Sequence, residues 1–96
     1  MSVTQTRTLV RPTVGTLFYN PSPDFKDLIQ EYKSNNKIIL HPDELSADGL
    51  TLTIITEYAD QATYDAFQAE AATVSHRQNK ESYNTSNNIT ETSTVA

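Results

Sequence analysis

The length, composition and charge of this chain exclude several classes of protein. Its 96 residues suit one domain, seven basic against twelve acidic residues give a net charge of −5, and cysteine is absent. An acidic chain binds nucleic acid poorly because phosphate neutralisation needs clustered Lys and Arg, and a chain without cysteine has no disulfides or thiolate metal sites.

Pro12 divides the start of the chain into two parts. Because proline cannot donate a hydrogen bond to a neighbouring strand, we expect an N-terminal arm over residues 1–12. The threonine, valine and aromatic residues that follow predict a first strand over residues 13–19. The chain then forms a single domain over residues 13–96.

An amphipathic helix is expected directly after this strand. Ser22 is typical of a helix N-cap, and Pro23 is typical of the first helical position. The helix is expected to end where Asn35 and Asn36 can adopt the left-handed conformation. Its apolar residues recur with helical spacing and predict one buried stripe of Phe25, Leu28, Ile29 and Tyr32.

Two strands are predicted in the middle of the chain. Residues 37–41 form a short strand, and the proline that follows it places this strand at a sheet edge. Asp48 and Gly49 together are a tight-turn signal. Residues 50–58 alternate strictly and carry apolar side chains on both faces, with Ile55 on the second face. This pattern predicts a central strand that is covered on both sides.

A second amphipathic helix and a polar strand complete the chain. Asp60 is the expected N-cap, and the polar residues after Ser75 indicate either that the helix leaves the core or that a second short helix begins. We expect His76 to be a solvated surface residue. Residues 89–95 predict a strand at a sheet edge or against a partner. The apolar stripe of the helix consists of Tyr64, Phe67, Ala71 and Val74.

The order of these elements, β-α-β-β-α-β, predicts an α+β ferredoxin-like fold with a four-stranded antiparallel sheet and two helices on one face. The strand over residues 50–58 and the helix start over residues 60–67 resemble the dimeric α+β barrel family, which includes small antibiotic-biosynthesis-type monooxygenases. This resemblance implies that two such subunits pack sheet against sheet. The chain is also similar to short proteins of tailed phages.

No catalytic, metal or cofactor motif occurs in the sequence. Two glycines are too few for the glycine-rich loops that bind phosphate, and no hydrolase or zinc-protease motif is found. We therefore expect no catalytic residue, no metal and no cofactor. Tyr19, His41 and Tyr58 are expected near strand ends, where a pocket between the helices and the sheet would reach them. These three residues are the candidate ligand-binding residues.

The sequence leaves two functions open. The first is a non-enzymatic structural or interaction protein of phage origin that forms a homodimer through its open sheet face. The alternative is a monooxygenase-like or small-molecule-binding protein. No apolar run reaches the ~18–20 residues of a membrane span, and the N-terminus lacks a signal-peptide core. We therefore expect a cytoplasmic protein, in the host cytoplasm or virion if from a phage, that contacts neither membrane nor nucleic acid.

Overall fold

The computed structural model of the chain describes residues 2–96 as one sheet covered by helices. In chain order the elements are β1 (Val3–Val10), α1 (Pro23–Ser34), β2 (Ile38–Leu40), β3 (Glu44–Leu45), β4 (Thr51–Tyr58), α2 (Gln61–Ala69), α3 (Ala71–Ser86) and β5 (Thr90–Val95). No helix in this range is long and apolar enough to cross a membrane.

The strands form an antiparallel sheet in the order β2-β4-β1-β5, with the short β3 paired to the other end of β4. This is the strand order of a ferredoxin-like fold, so the predicted α+β class is confirmed. Arg7 on β1 lies opposite Ile54 on β4 and Ser93 on β5, and these three side chains point toward the helices. Thr6 and its partner Ile55 point the other way, to the face without helices.

The first strand lies before Pro12, which corrects the prediction of an N-terminal arm over residues 1–12. Most of that segment forms β1, which pairs with both β4 and β5 in the middle of the sheet. Residues 13–19 form no strand. Both sides of Pro12 are rich in threonine and apolar residues, so composition does not decide between them. In the earlier segment threonine occupies every second position from Thr4 to Thr8, whereas Gly15 interrupts the later segment.

Residues 11–22 form an irregular connecting segment between β1 and α1. Arg11 fixes its start, because its Nε donates to the carbonyl oxygen of Gly49 at 2.8 Å and its Nη1 to that of Thr16 at 2.9 Å. Farther along, the hydroxyl of Tyr83 on α3 donates to the carbonyl oxygen of Leu17 at 2.5 Å. The connecting segment is therefore held against both the turn before β4 and the helix α3.

Single residues account for the turn before β4 and for the break between the last two helices. Gly49 has a φ of 74°, the left-handed conformation that the predicted turn requires. Glu70 has an extended ψ of 138°, so α2 ends and α3 begins around it. A further helix does form, but it begins at Ala71 and not after Ser75, and its 16 residues stay helical through Ser75, so the expected break or short helix after Ser75 is wrong. This helix and β3 are additional to the expected two helices and four strands.

The apolar core lies beneath α1 and α2. The Oγ of Ser22 accepts a hydrogen bond from the Phe25 amide at 3.4 Å and caps α1, whose predicted stripe is confirmed by its burial. Phe67 of α2 packs edge-on against Tyr32 of α1, with ring centroids 5.0 Å apart. The core consists of Val3, Phe25, Leu28, Tyr32, Ile38, Tyr58 and Phe67. The helix α3 lies on the same face of the sheet, where it contacts α1, α2 and the edge strand β5.

Candidate functional site

Helix α3 turns polar side chains toward the sheet. Its buried residues are Thr73, His76, Lys80 and Asn84, which recur three, four and four positions apart and therefore share one face. The expectation that His76 is solvated is wrong, because only 6% of its surface is exposed. A pattern of apolar spacing does not reveal this stripe, since every member of it is polar.

A cavity of about 860 Å³ lies between α3 and the helix-facing side of the sheet. Its apolar wall comes from α1, the connecting segment and the strands, and consists of Leu9, Phe18, Phe25, Leu52 and Ile54. Its polar wall comes from β1, α3 and β5, and consists of Arg7, Thr73, His76, Lys80, Asn84 and Glu91. A cavity with one wall of each kind suits a molecule that is apolar at one side and polar at the other.

An ion pair between α3 and β5 lies in the polar wall. The Nζ of Lys80 is 2.9 Å from the Oε2 of Glu91, and only 11% and 18% of the two side chains are exposed. Burial and the charge of Arg7 lower the pKa of Lys80, while the bond to Glu91 acts in the opposite direction. Arg7 itself forms no salt bridge with any residue between 2 and 96.

His76 is held in the cavity as a neutral imidazole. Its ring stacks on the ring of Phe25 with centroids 3.8 Å apart. Burial, followed by the positive charges of Lys80, Arg7 and Arg77, lowers the pKa of His76 to about 4. At neutral pH the side chain therefore offers one donor and one acceptor and carries no charge.

Four buried polar atoms on the polar wall have no hydrogen-bond partner among the described residues. They are Thr73 Oγ1, His76 Nδ1, Asn84 Oδ1 and Glu91 Oε1. Buried polar atoms in folded proteins are nearly always paired, so four unpaired ones in a single wall require an explanation. Each of them belongs to a residue that lines the cavity, where a bound polar molecule would reach it.

Tyr19 and Tyr58, two of the candidate ligand-binding residues, also line this cavity. The Tyr58 hydroxyl donates to Gln5 Oε1 at 3.0 Å, and burial raises the pKa of Tyr58 to about 12. The Tyr19 ring lies in the connecting segment, with its centroid 5.5 Å from that of His76. Two tyrosines that are far apart in the sequence thus line the same cavity.

The third candidate, His41, lies only at the rim of the cavity. Its Nε2 is 3.4 Å from Glu57 Oε1, and 41% of its side chain is exposed. The histidine inside the cavity is His76. Between residues 2 and 96, no group of three or more His, Asp or Glu side chains is arranged to hold a metal ion.

Several solved structures share this arrangement of strands and helices. The chain matches Rv0793 from Mycobacterium tuberculosis with a TM-score of 0.63 and 13% identity, over 100% of this chain and 93% of that one. A variant of SnoaB, a cofactor-independent oxygenase from Streptomyces nogalater, matches with a TM-score of 0.63 and 10% identity, over 99% and 90% of the two chains. A dimeric ferredoxin-like protein from an uncultured marine organism matches with a TM-score of 0.55 and 11% identity, over 99% and 92%.

The fold is ferredoxin-like, as in these matching structures. No protein-family model matches the chain, and no curated protein matches it in sequence. Identities of 10–13% support the fold alone, so the activity of SnoaB is not carried over to this chain. None of these three neighbours supports the resemblance to phage proteins.

In this ferredoxin-like fold, the face of the sheet opposite the cavity is dominated by threonine. We call it the helix-free face; it consists of Thr4, Thr6, Thr8, Val10, Ile39, Glu44, Thr51, Thr53, Ile55, Glu57, Thr90, Thr92 and Thr94. Thr8 lies opposite Thr53 on one side and Thr92 on the other, so threonines continue across three strands. Two apolar residues on this face are well exposed, Val10 at 40% and Ile39 at 56%.

Proposed function

We propose that this chain is the subunit of a homodimer and binds a small molecule in the cavity between α3 and the sheet. The observation that carries the proposal is the set of four unpaired buried atoms on the polar wall. The cavity volume of about 860 Å³ falls in the range of roughly 300–1,000 Å³ that is typical of ligand sites. The apolar wall opposite would bury the rest of the bound molecule.

A purely structural role gives no reason for the polar face of α3. A buried polar atom without a partner costs roughly 1–3 kcal/mol. An apolar face on the same helix would cover the sheet without that cost and would add stability to a small domain. Of the two functions that the sequence leaves open, the cavity therefore favours small-molecule binding.

The helix-free face supports the homodimer. Among residues 2–96 no helix covers this face, and Val10, Ile39 and Ile55 place apolar side chains on it. One of the matching proteins is itself a dimeric ferredoxin-like protein. A second copy of the chain packed against this face would remove these side chains from water while leaving the cavity on the opposite side accessible.

A thermal-shift screen against small aromatic acids and phenols, flavins and haem tests ligand binding. A ligand that occupies the cavity binds only the folded state, so it raises the free energy of unfolding by ~2.7 kcal/mol at a hundredfold excess over its dissociation constant. We expect at least one compound to raise the melting temperature by several degrees. A flat response across the whole panel would count against a ligand-binding function.

Two variants locate the binding. Asn84→Phe places a ring in the cavity, so we expect it to abolish the shift that a ligand causes. Ser82→Phe introduces the same ring at an exposed position of α3 outside the cavity and should leave the shift intact. An equal shift in both variants would mean that the ligand binds elsewhere on the protein.

A further inference from the structure

We infer that the cavity selects an organic monoanion, with its carboxylate at Arg7 and its apolar body against Leu52 and Ile54. This inference rests on the proposed function and adds the chemical class of the ligand. It draws on the charge balance of the polar wall, on the position of Arg7 in the sheet and on the shape of the guanidinium group.

The charges that face into the cavity do not balance. Lys80 is paired with Glu91 at 2.9 Å, and these two charges cancel. His76 is neutral, so the charge of Arg7 is left over and has no salt-bridge partner among residues 2–96. The polar wall thus carries one net positive charge, on the half-buried Arg7, inside a chain whose total charge is −5.

The exposed charges at the cavity mouth change this balance little. Asp43, Arg77 and Glu81 line the mouth but are exposed to solvent. Water screens exposed charges far more effectively than buried ones. The charge that a bound group would meet most strongly is therefore that of the half-buried Arg7.

Arg7 lies at the boundary between the two walls. In the sheet its neighbours are Ile54 of β4, which belongs to the apolar wall, and Ser93 of β5, next to the polar wall. A guanidinium group presents a planar pair of donors that matches the two oxygens of a carboxylate. An anionic group at Arg7 leaves the remainder of the molecule over the apolar wall.

The unpaired acceptors on the polar wall provide a competing selection. Asn84 Oδ1 and Glu91 Oε1 accept hydrogen bonds and would favour a ligand that donates them. A carboxylate cannot donate, whereas a primary carboxamide of the same shape can. The two effects predict opposite preferences, so one pair of compounds separates them.

Calorimetric titration with 2-naphthoate and 2-naphthamide at pH 7 tests the inference. We expect 2-naphthoate to bind about tenfold more tightly, because a charge-assisted bond to Arg7 is stronger than a neutral one. Equal affinity, or tighter binding of the amide, would overturn the anion selection while leaving small-molecule binding in place. If neither compound binds at millimolar concentration, the inference is overturned. The thermal-shift screen described above then decides the proposed function, which fails only if the whole panel gives a flat response.

Three variants assign the preference to Arg7. Arg7→Gln should remove the preference for 2-naphthoate. Arg7→Lys should keep part of the preference, because lysine retains the positive charge but lacks the planar pair of donors. Lys26→Gln removes a charge from the exposed side of α1, outside the cavity, and should leave the preference unchanged. Circular dichroism and thermal melts of each variant check that it is folded. A folded Arg7→Gln protein that keeps the full preference would rule out the assignment.

Discussion

At the scale of single residues, His76 combines an apolar and a cationic environment. Its ring is stacked on Phe25 and lies near Tyr19, so two aromatic rings shield the imidazole from water. The positive charges of Lys80, Arg7 and Arg77 then add to the effect of burial, and both disfavour the imidazolium form. Arg7, which would attract an anionic ligand, therefore also helps to keep this histidine neutral.

The depressed pKa of His76 makes stability depend on pH. In the unfolded chain the imidazole takes up a proton near its ordinary pKa of 6.5, whereas in the folded state it does so only near pH 4. The contribution of His76 to stability is therefore full above pH 6.5 and is lost as the pH falls toward 4. We expect this contribution to reach about 2–3 kcal/mol, measured by urea unfolding between pH 7 and pH 4.

Two substitutions separate this effect from the titration of carboxylates. His76→Gln should flatten the loss of stability between pH 6.5 and pH 4, because no imidazole is then buried. His41→Gln removes the exposed histidine at the cavity rim and should keep the steep loss. Identical pH profiles for wild type and His76→Gln would show that the imidazole does not titrate as its surroundings imply.

At the scale of elements, the pair of Lys80 and Glu91 ties α3 to the edge strand β5. Glu91→Gln leaves the Lys80 ammonium buried without its counter-charge, so we expect a loss of about 3 kcal/mol in the free energy of unfolding. Replacing both, Lys80→Met with Glu91→Leu, removes the unpaired charge and should recover most of that loss. Chemical unfolding of Lys80→Met, of Glu91→Leu and of the double variant measures the coupling between the two positions.

An exposed pair serves as the comparison for this prediction. Glu57→Gln removes the contact with His41, where 32% and 41% of the two side chains are exposed, and should change stability by less than about 1 kcal/mol. If the double variant at Lys80 and Glu91 is as unstable as the sum of its single changes, then α3 and β5 are not coupled through this pair.

Sequence alone predicts the elements whose apolar residues recur with helical or strand spacing. The stripe of α1 was predictable because Phe25, Leu28 and Tyr32 are apolar at helical spacing, and the turn at Gly49 because glycine readily adopts positive φ. The site was not predictable in this way. The face of α3 is polar, and it is buried against α1, α2 and β5. The strand β1, which supplies Arg7 to the cavity, was predicted as an arm before Pro12. Tyr58 lies at a strand end, as predicted, whereas Tyr19 was predicted at the end of a strand that does not form.

At the scale of the whole molecule, the two faces of the sheet differ in composition. The helix-facing side carries the core and the cavity, and the helix-free face carries threonines with a few apolar side chains. Threonine is favoured in strands and can form hydrogen bonds across an interface, so this face suits contact with an equally flat, half-polar surface. The same face on a second copy of the chain meets that description.

Two single variants test the homodimer, each of which adds one carboxylate to a different surface. Ile55→Asp puts a carboxylate in the middle of the helix-free face, where dimer formation would bury it without a partner, so we expect monomers in light scattering at tens of micromolar. Leu17→Asp puts the same charge on the connecting segment, where Leu17 is 75% exposed, and should leave the dimer intact. A wild-type monomer at these concentrations would argue against the homodimer. A persistent Ile55→Asp dimer would instead place the interface away from the helix-free face, and the exposed edge at Leu40 and Leu45 would be the next surface to substitute.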